Sequence, residues 1–244
     1  MPSTALAAAL ADIDTVFNGF ASPHETGCAL CHLPEETAYL RTPYTRVPPD
    51  VLRRYAFEGS LHFDDHTASM RRLLPQTAHA LADGTLDGIG WGVPGIARAA
   101  WRTWPAEQAA AIEAFVLAWW QDTLATLTPP YPVAYVFETC VLILDDLAPL
   151  LDRWEPGPVA DAHLADCAVR WECELVFDEL PFSWWAPDDE PAVLAALQAW
   201  LAARAPACLR TAGEHDLALR AELLALPHGE RWAHPYWYGP SVAD

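Results

Sequence analysis

Lysine is absent: all 14 basic side chains are arginine, set against 33 Asp and Glu for a formal charge of −19 over 244 residues. Its absence even from exposed helix faces reads as codon usage. Phosphate recognition needs clustered cations, so nucleic acid is set aside as a partner. No run reaches 18 uncharged apolar residues, and the most apolar stretch, 133–144, is interrupted by Glu138, so no membrane span is expected. The N-terminus has no basic segment and meets Asp12 and Asp14 early. It reads as an amphipathic helix and not a signal peptide, which predicts a cytoplasmic protein with reduced cysteines. Alternating β-branched runs are nearly missing, which sets strand-built folds aside. Also missing are a nucleophile elbow, a P-loop and a zinc-protease helix; Gly88-Ile-Gly90-Trp-Gly92 has neither the strand nor the spacing of a dinucleotide fingerprint. No catalytic or organic-cofactor-binding residue is therefore assigned.

What remains is apolar and helical. Hydrophobic residues make up 52% of the chain, and 12 Trp, 8 Phe and 7 Tyr supply rings to fill interhelical space. Ser3 caps a helix to about Phe20, and Pro34 opens a short one through Leu40. Pro48 and Pro49 start another that turns Val51, Leu52, Tyr55 and Ala56 inward, and His66 to Ala82 follows, bent at Pro75. Thr103 and Pro105 open a long helix to about Thr126 with Ile112, Phe115, Val116 and Trp119 on one stripe, and a second stripe runs from Val133 to Leu147. Val159 to Asp178 is apolar on two sides, with Val169, Cys173, Val176 and Phe177 on the second. Pro191 to Arg204 and about Ala207 to Leu226 complete the helices. The prediction is all-α: stacked antiparallel helical hairpins, as an irregular bundle or a short solenoid, in one domain over 1–244. Gly-rich 83–95, with Trp91, is the natural hinge. The aromatic segment 227–244 reads as an extended strap.

The sharpest local pattern is His24-x3-Cys28-x2-Cys31-His32, in a loop with Gly27. Two thiolates two residues apart converge on one metal ion, and imidazole is their usual complement at tetrahedral zinc. His62-x3-His66 offers a second pair at one-turn helical spacing. The candidate ligands are Cys28, Cys31, His24, His32, His62 and His66, with zinc as the metal. Cys28-Ala-Leu-Cys31-His32 also matches c-type haem attachment with His32 as axial ligand, but that chemistry requires export, and no signal is visible. A redox dithiol is a third reading, though such motifs usually follow a strand and none is predicted before Cys28. Cys140, Cys167, Cys173 and Cys208 fall on apolar stripes and are expected in the core. Asp65 reads as the N-cap of the helix that follows it.

Three segments, Cys28-Ala-Leu-Cys31-His-Leu-Pro-Glu-Glu, Pro48-Pro-Asp-Val-Leu-Arg-Arg-Tyr-Ala-Phe57 and Trp101-Arg-Thr-Trp-Pro105, together resemble an uncharacterised family of bacterial helical proteins with an N-terminal Cys-x-x-Cys and a Pro-Pro-x-x-Leu-x-x-Tyr helix. The resemblance spans the first half of the chain and implies a bacterial, helical, cytoplasmic protein. It carries over no activity and no site residues.

Three functions follow from these residues. The first is a noncatalytic helical binding or scaffold protein with a structural zinc near the N-terminus. The second is a metal- or haem-dependent enzyme using Cys28, Cys31, His32, His62 and His66 around an open position. The third is an acidic protein that binds a basic partner through 134–190, where 14 Asp and Glu face only Arg153 and Arg170.

Overall fold

The computed structural model describes residues 2–90, 92–182 and 188–238. Among them are eleven α-helices and no strand, so the fold is all-α as the periodicity predicts. The chain divides into two compact units, Met1–Arg153 and Trp154–Asp244.

The first unit holds α1 (Thr4–Val16), α2 (Pro34–Arg41), α3 (Pro49–Phe57), α4 (His66–Ala82), α5 (Ala106–Ala125), α6 (Val133–Leu144) and α7 (Ala148–Asp152). Ser3 caps α1 by accepting from Leu6 N at 3.2 Å, and Asp65 caps α4 by accepting from Ala68 N at 2.8 Å. α1 packs on α5 and α4, α2 and α3 pack on α4, and α5 packs on α6. Leu6, Ile13, Ile112, Phe115, Val116, Trp119 and Phe137 fill the space between them. Buried indoles find carbonyls at helix ends: Trp101 Nε1 donates to Ile143 O at 2.9 Å and Trp120 Nε1 to Leu150 O at 3.0 Å.

Segment 83–95, expected as a hinge within one domain, lies inside this first unit; the chain divides instead at 153/154. The segment is tied at its start. Gly84 takes φ +73° after α4, and Gly84 N and Thr85 N donate to Leu81 O and Ala80 O, closing a Schellman motif. The Tyr131 hydroxyl accepts from Leu86 N at 2.9 Å and donates to Leu86 O at 3.0 Å, while Leu86 and Ile89 are buried. Trp91 lies outside the described residues.

The second unit holds α8 (Pro158–Val176), α9 (Glu190–Thr211), α10 (His215–Leu223) and α11 (His228–Ala233), of which α8, α9 and α10 pack on one another. Three sequence expectations change here. Pro206 does not break α9: with Ala205 and Leu209 it is buried, so packing offsets the lost backbone bond. The helix ends instead at Gly213, φ +86°, where Gly213 N and Glu214 N donate to Arg210 O and Leu209 O. α8 buries the first side through Leu164, Cys167, Trp171 and Leu175 but only Val176 of the second, and leaves Val169, Cys173 and Phe177 exposed.

The expected strap is helical as far as it is described, forming α11 and a 3₁₀ turn at Pro235–Tyr238; residues 239–244 lie outside the described part. Its anchor is Arg231, whose side chain is buried. Nη1 donates to Leu175 O at 3.2 Å, to Val176 O at 2.8 Å and to Asp178 Oδ1 at 2.8 Å, and Nη2 donates to Leu226 O at 3.2 Å. The guanidinium thus serves two carbonyls at the end of α8, of which Leu175 O also accepts from Gln198 Nε2 at 2.8 Å.

By length and composition α9 alone among the described helices could cross a membrane, with a mean hydropathy of 1.4. It carries Gln198, Arg204 and Arg210, and buries Leu197, Leu201 and Leu209 within its unit. Replacing Arg231 by Met should cost about 3 kcal/mol in urea unfolding, because four acceptors lose a buried cationic donor. A loss below ~1 kcal/mol would show that water serves those carbonyls equally well.

Candidate metal centre

Between α1 and α4 the chain has two short helices and long irregular links, so polar contacts set its course. The main one is Glu25, fully buried at 0% exposure. Its Oε1 accepts from Gly27 N at 3.0 Å and Asp64 N at 2.8 Å, and its Oε2 accepts from Asp65 N at 3.2 Å and from Ser69 Oγ at 3.0 Å. The reciprocal contact comes from Asp64, which accepts from Thr26 N at 2.8 Å and Thr26 Oγ1 at 2.6 Å. Those two bonds hold the Asp64 carboxyl below the usual carboxylate range. Loop 22–27 is thereby clasped to the entrance of α4, and the residues just beyond each end of the clasp, Cys28 and His62, are brought together.

The cysteine turn is shaped locally. Gly27 has φ +69°, and a Cβ there would lie 2.7 Å from both His32 Nδ1 and Thr37 Cγ2, so only glycine fits. Cys31 N and His32 N both donate to Cys28 O, at 3.0 and 2.9 Å. α2 follows at once, its first turn closed by Glu36, which accepts from Leu33 N at 3.1 Å and is paired with Arg54 of α3. On the other side, Ser60–His62 forms a 3₁₀ turn after α3.

Cys28, Cys31 and His62 converge so that the two Sγ atoms and a ring nitrogen of His62 lie within 4.8 Å of one another. Cys31 is exposed, while Cys28 and His62 are half-buried. His62 Nε2 faces Glu58 Oε1 at 3.5 Å, and His62 Nδ1 is buried with no hydrogen-bond partner. Glu58 Oε2 faces His32 Nε2, also at 3.5 Å, and His32 Nδ1 accepts from Cys28 N at 3.1 Å. That last bond assigns the His32 tautomer: its proton is on Nε2, toward Glu58. Glu58 thus sits between two imidazoles, orienting both.

The two thiols differ. Cys28 is lowered to about 7, first by the Leu30 backbone N–H and then by His62 and Cys31. Cys31 is raised, first because it is the Cys28 sulfur that its hydrogen bond serves, and further by burial and by Glu58.

Of the six candidate ligands, three meet and three do not. His24 is exposed on the loop, outside the group. His32 is buried between Tyr55 and Phe63, ring centroids 4.8 and 5.8 Å away, with its Nε2 turned to Glu58. An axial haem ligand needs a ring facing an open porphyrin site, and this one is enclosed between two aromatic rings. His66 packs on Phe63 at 5.3 Å, with burial first and then Arg98 holding it below the usual imidazole range. The one-turn spacing of His62 and His66 misleads because only His66 is on α4; His62 belongs to the preceding 3₁₀ turn. Two residues went unread in the sequence. Glu58 could have been found from Glu58-x3-His62, whereas nothing in the sequence distinguishes Glu25 from a solvated loop acid.

No protein-family model, curated protein or solved structure matches this chain. The site therefore has to be interpreted from its own chemistry.

In metal-free protein, alkylation at Cys28 should reach half its limiting rate near pH 7, with Cys31 reacting only at higher pH. Equal profiles in peptide-resolved mass spectrometry would contradict the asymmetry. Glu25→Ala leaves three backbone N–H groups without an acceptor and should cost about 3 kcal/mol. Metal binding should weaken with it, since the clasp sets the distance from Cys28 to His62.

Proposed function

We propose that the chain is a zinc protein in which Cys28, Cys31 and His62 hold one metal ion and a fourth position stays open to an exogenous ligand. The observation that carries this reading is the convergence of two thiol sulfurs and a His62 ring nitrogen within 4.8 Å of one another, with His62 Nε2 directed at a carboxylate. A carboxylate behind a ligating imidazole is the usual outer-sphere arrangement, fixing the tautomer and raising the basicity of the ligand. Two sulfurs and one nitrogen suit zinc among the common divalent ions.

Three protein ligands are the signature of a zinc that binds something further, while structural zinc is closed by four. Among the described residues no fourth Cys, His, Asp or Glu joins the group. The ligand count therefore favours the metal-dependent reading over the closed structural one. With both thiolates bound, the centre is formally neutral, and the ion would polarise whatever oxygen or sulfur ligand takes the open position. His32 and Glu58 act as positioning residues: the first holds the Cys28 turn through Cys28 N, and the second holds both rings.

Elemental analysis of untagged protein purified without chelator should find one zinc per chain. Cys28→Ser, Cys31→Ser and His62→Ala should each abolish stoichiometric binding, His24→Ala and His66→Ala should leave it intact, and Glu58→Gln should weaken it roughly 10- to 100-fold. In cobalt-substituted protein the visible d–d bands should shift when imidazole is added, reporting the open position. Metal-free protein, or full occupancy after His62→Ala, would overturn the reading; cobalt bands indifferent to imidazole would overturn the open position alone.

A further inference from the structure

The six cysteines occupy very different surroundings. Cys140 and Cys167 are buried in helices, and burial pushes both thiols up. Cys208 donates to Arg204 O at 3.6 Å within α9, and Cys173 stands exposed on α8. Only Cys28 and Cys31 combine solvent access with a second sulfur in reach. The Cys31 N to Cys28 O bond at 3.0 Å makes residues 28–31 a β-turn. Such a turn holds its end Cα atoms within about 7 Å, which overlaps the 4.4–6.8 Å that a disulfide spans. Beside it, Leu30 is 96% exposed and Leu61 is 97% exposed, so the turn projects into solvent.

We propose that the Cys28–Cys31 pair is a reversible oxidation site, at which a hydroperoxide converts the two thiolates into a disulfide and so frees the metal they hold. The metal-release half rests on the zinc reading above. Held as a thiolate by the metal, the exposed Cys31 sulfur attacks the nearer peroxide oxygen. The O–O bond breaks, Cys31 becomes a sulfenic acid, and the departing alkoxide takes a proton from water. The Cys28 sulfur then attacks the sulfenic sulfur: the S–S bond forms, and hydroxide leaves and is protonated to water. Two thiolates lose two electrons, the hydroperoxide gains them, and two protons are taken up. His62, left with no sulfur partner, cannot retain zinc alone.

The fold tolerates this because the clasp is separate from the sulfurs. Glu25 and Asp64 hold loop 22–27 to α4 through bonds that involve neither cysteine. Oxidation should empty the metal site and leave the helices in place.

The test treats zinc-loaded protein with equimolar hydrogen peroxide. It follows zinc release with a chromophoric chelator, helix content by circular dichroism, and each cysteine by differential alkylation and peptide mapping. Expected are loss of two of the six thiols, a mapped Cys28–Cys31 disulfide, one zinc released per disulfide, unchanged helix content, and recovery on adding dithiothreitol with zinc. Cys28→Ser should stop at a sulfenic acid on Cys31 that dimedone traps. Protein that keeps its zinc with both thiols reduced would overturn the oxidation proposal and leave the zinc reading standing. Protein purified without zinc would overturn the zinc reading, and the same mapping on metal-free chain would then decide whether the pair still closes. Oxidation first at Cys173 would overturn the selectivity on which the proposal depends.

Discussion

A buried carboxylate held by backbone N–H groups organises the N-terminal half of this protein. Transferring Glu25 out of water is unfavourable by several kcal/mol, and the structure compensates with backbone N–H donors from Gly27, Asp64 and Asp65 and a hydroxyl from Ser69. Charge-assisted bonds to a carboxylate are worth roughly twice neutral ones. An arrangement that depends on so many groups at once tolerates little displacement of any of them. The Cys28 turn and the Ser60–His62 turn inherit their separation from it, and so does the group formed by Cys28, Cys31 and His62.

Helices were legible in the sequence wherever a stripe of large apolar residues met a proline at its start. α3, α5 and α6 show this: Val51, Leu52, Tyr55 and Ala56 face inward in α3 as the spacing predicts. Legibility failed where tertiary packing overrode a local signal. Pro206 reads as a breaker, but a buried ring in α9 contributes enough packing to keep the helix continuous. Val169, Cys173, Val176 and Phe177 read as a second buried face, yet of these only Val176 is covered. The segment after Pro227 reads as extended, and becomes helical because Arg231 can serve carbonyls more than 50 residues away in sequence.

The metal centre was half legible for the same reason. Cys28-x2-Cys31 is a local pattern, so spacing alone reveals it. His62 is one histidine among several, and only the Glu25 clasp, which joins positions about 40 residues apart, selects it. His32, adjacent to Cys31, looks the better ligand in the sequence. The structure instead directs its Nδ1 to Cys28 N and its Nε2 to Glu58, so it supports the site without entering it. Residue type and spacing nominate ligands; the hydrogen-bond partner of the second ring nitrogen decides among them.

Two cross-links of unequal permanence follow. Between Cys31 and His62 lie 30 residues, a stretch whose only helices are the short α2 and α3. Bridging a loop of that length removes unfolded-state entropy worth roughly 3–4 kcal/mol in the chain-entropy account of cross-links. The Glu25 clasp spans nearly the same stretch, so the two links overlap and their stabilisation is not additive. With the clasp in place, the loop is already closed, and a metal at the proposed site would add less than it would alone. Under the zinc reading proposed above, this redundancy would leave the sulfur and imidazole ligands free for chemistry at a solvent-facing metal, because the clasp by itself holds the surrounding fold.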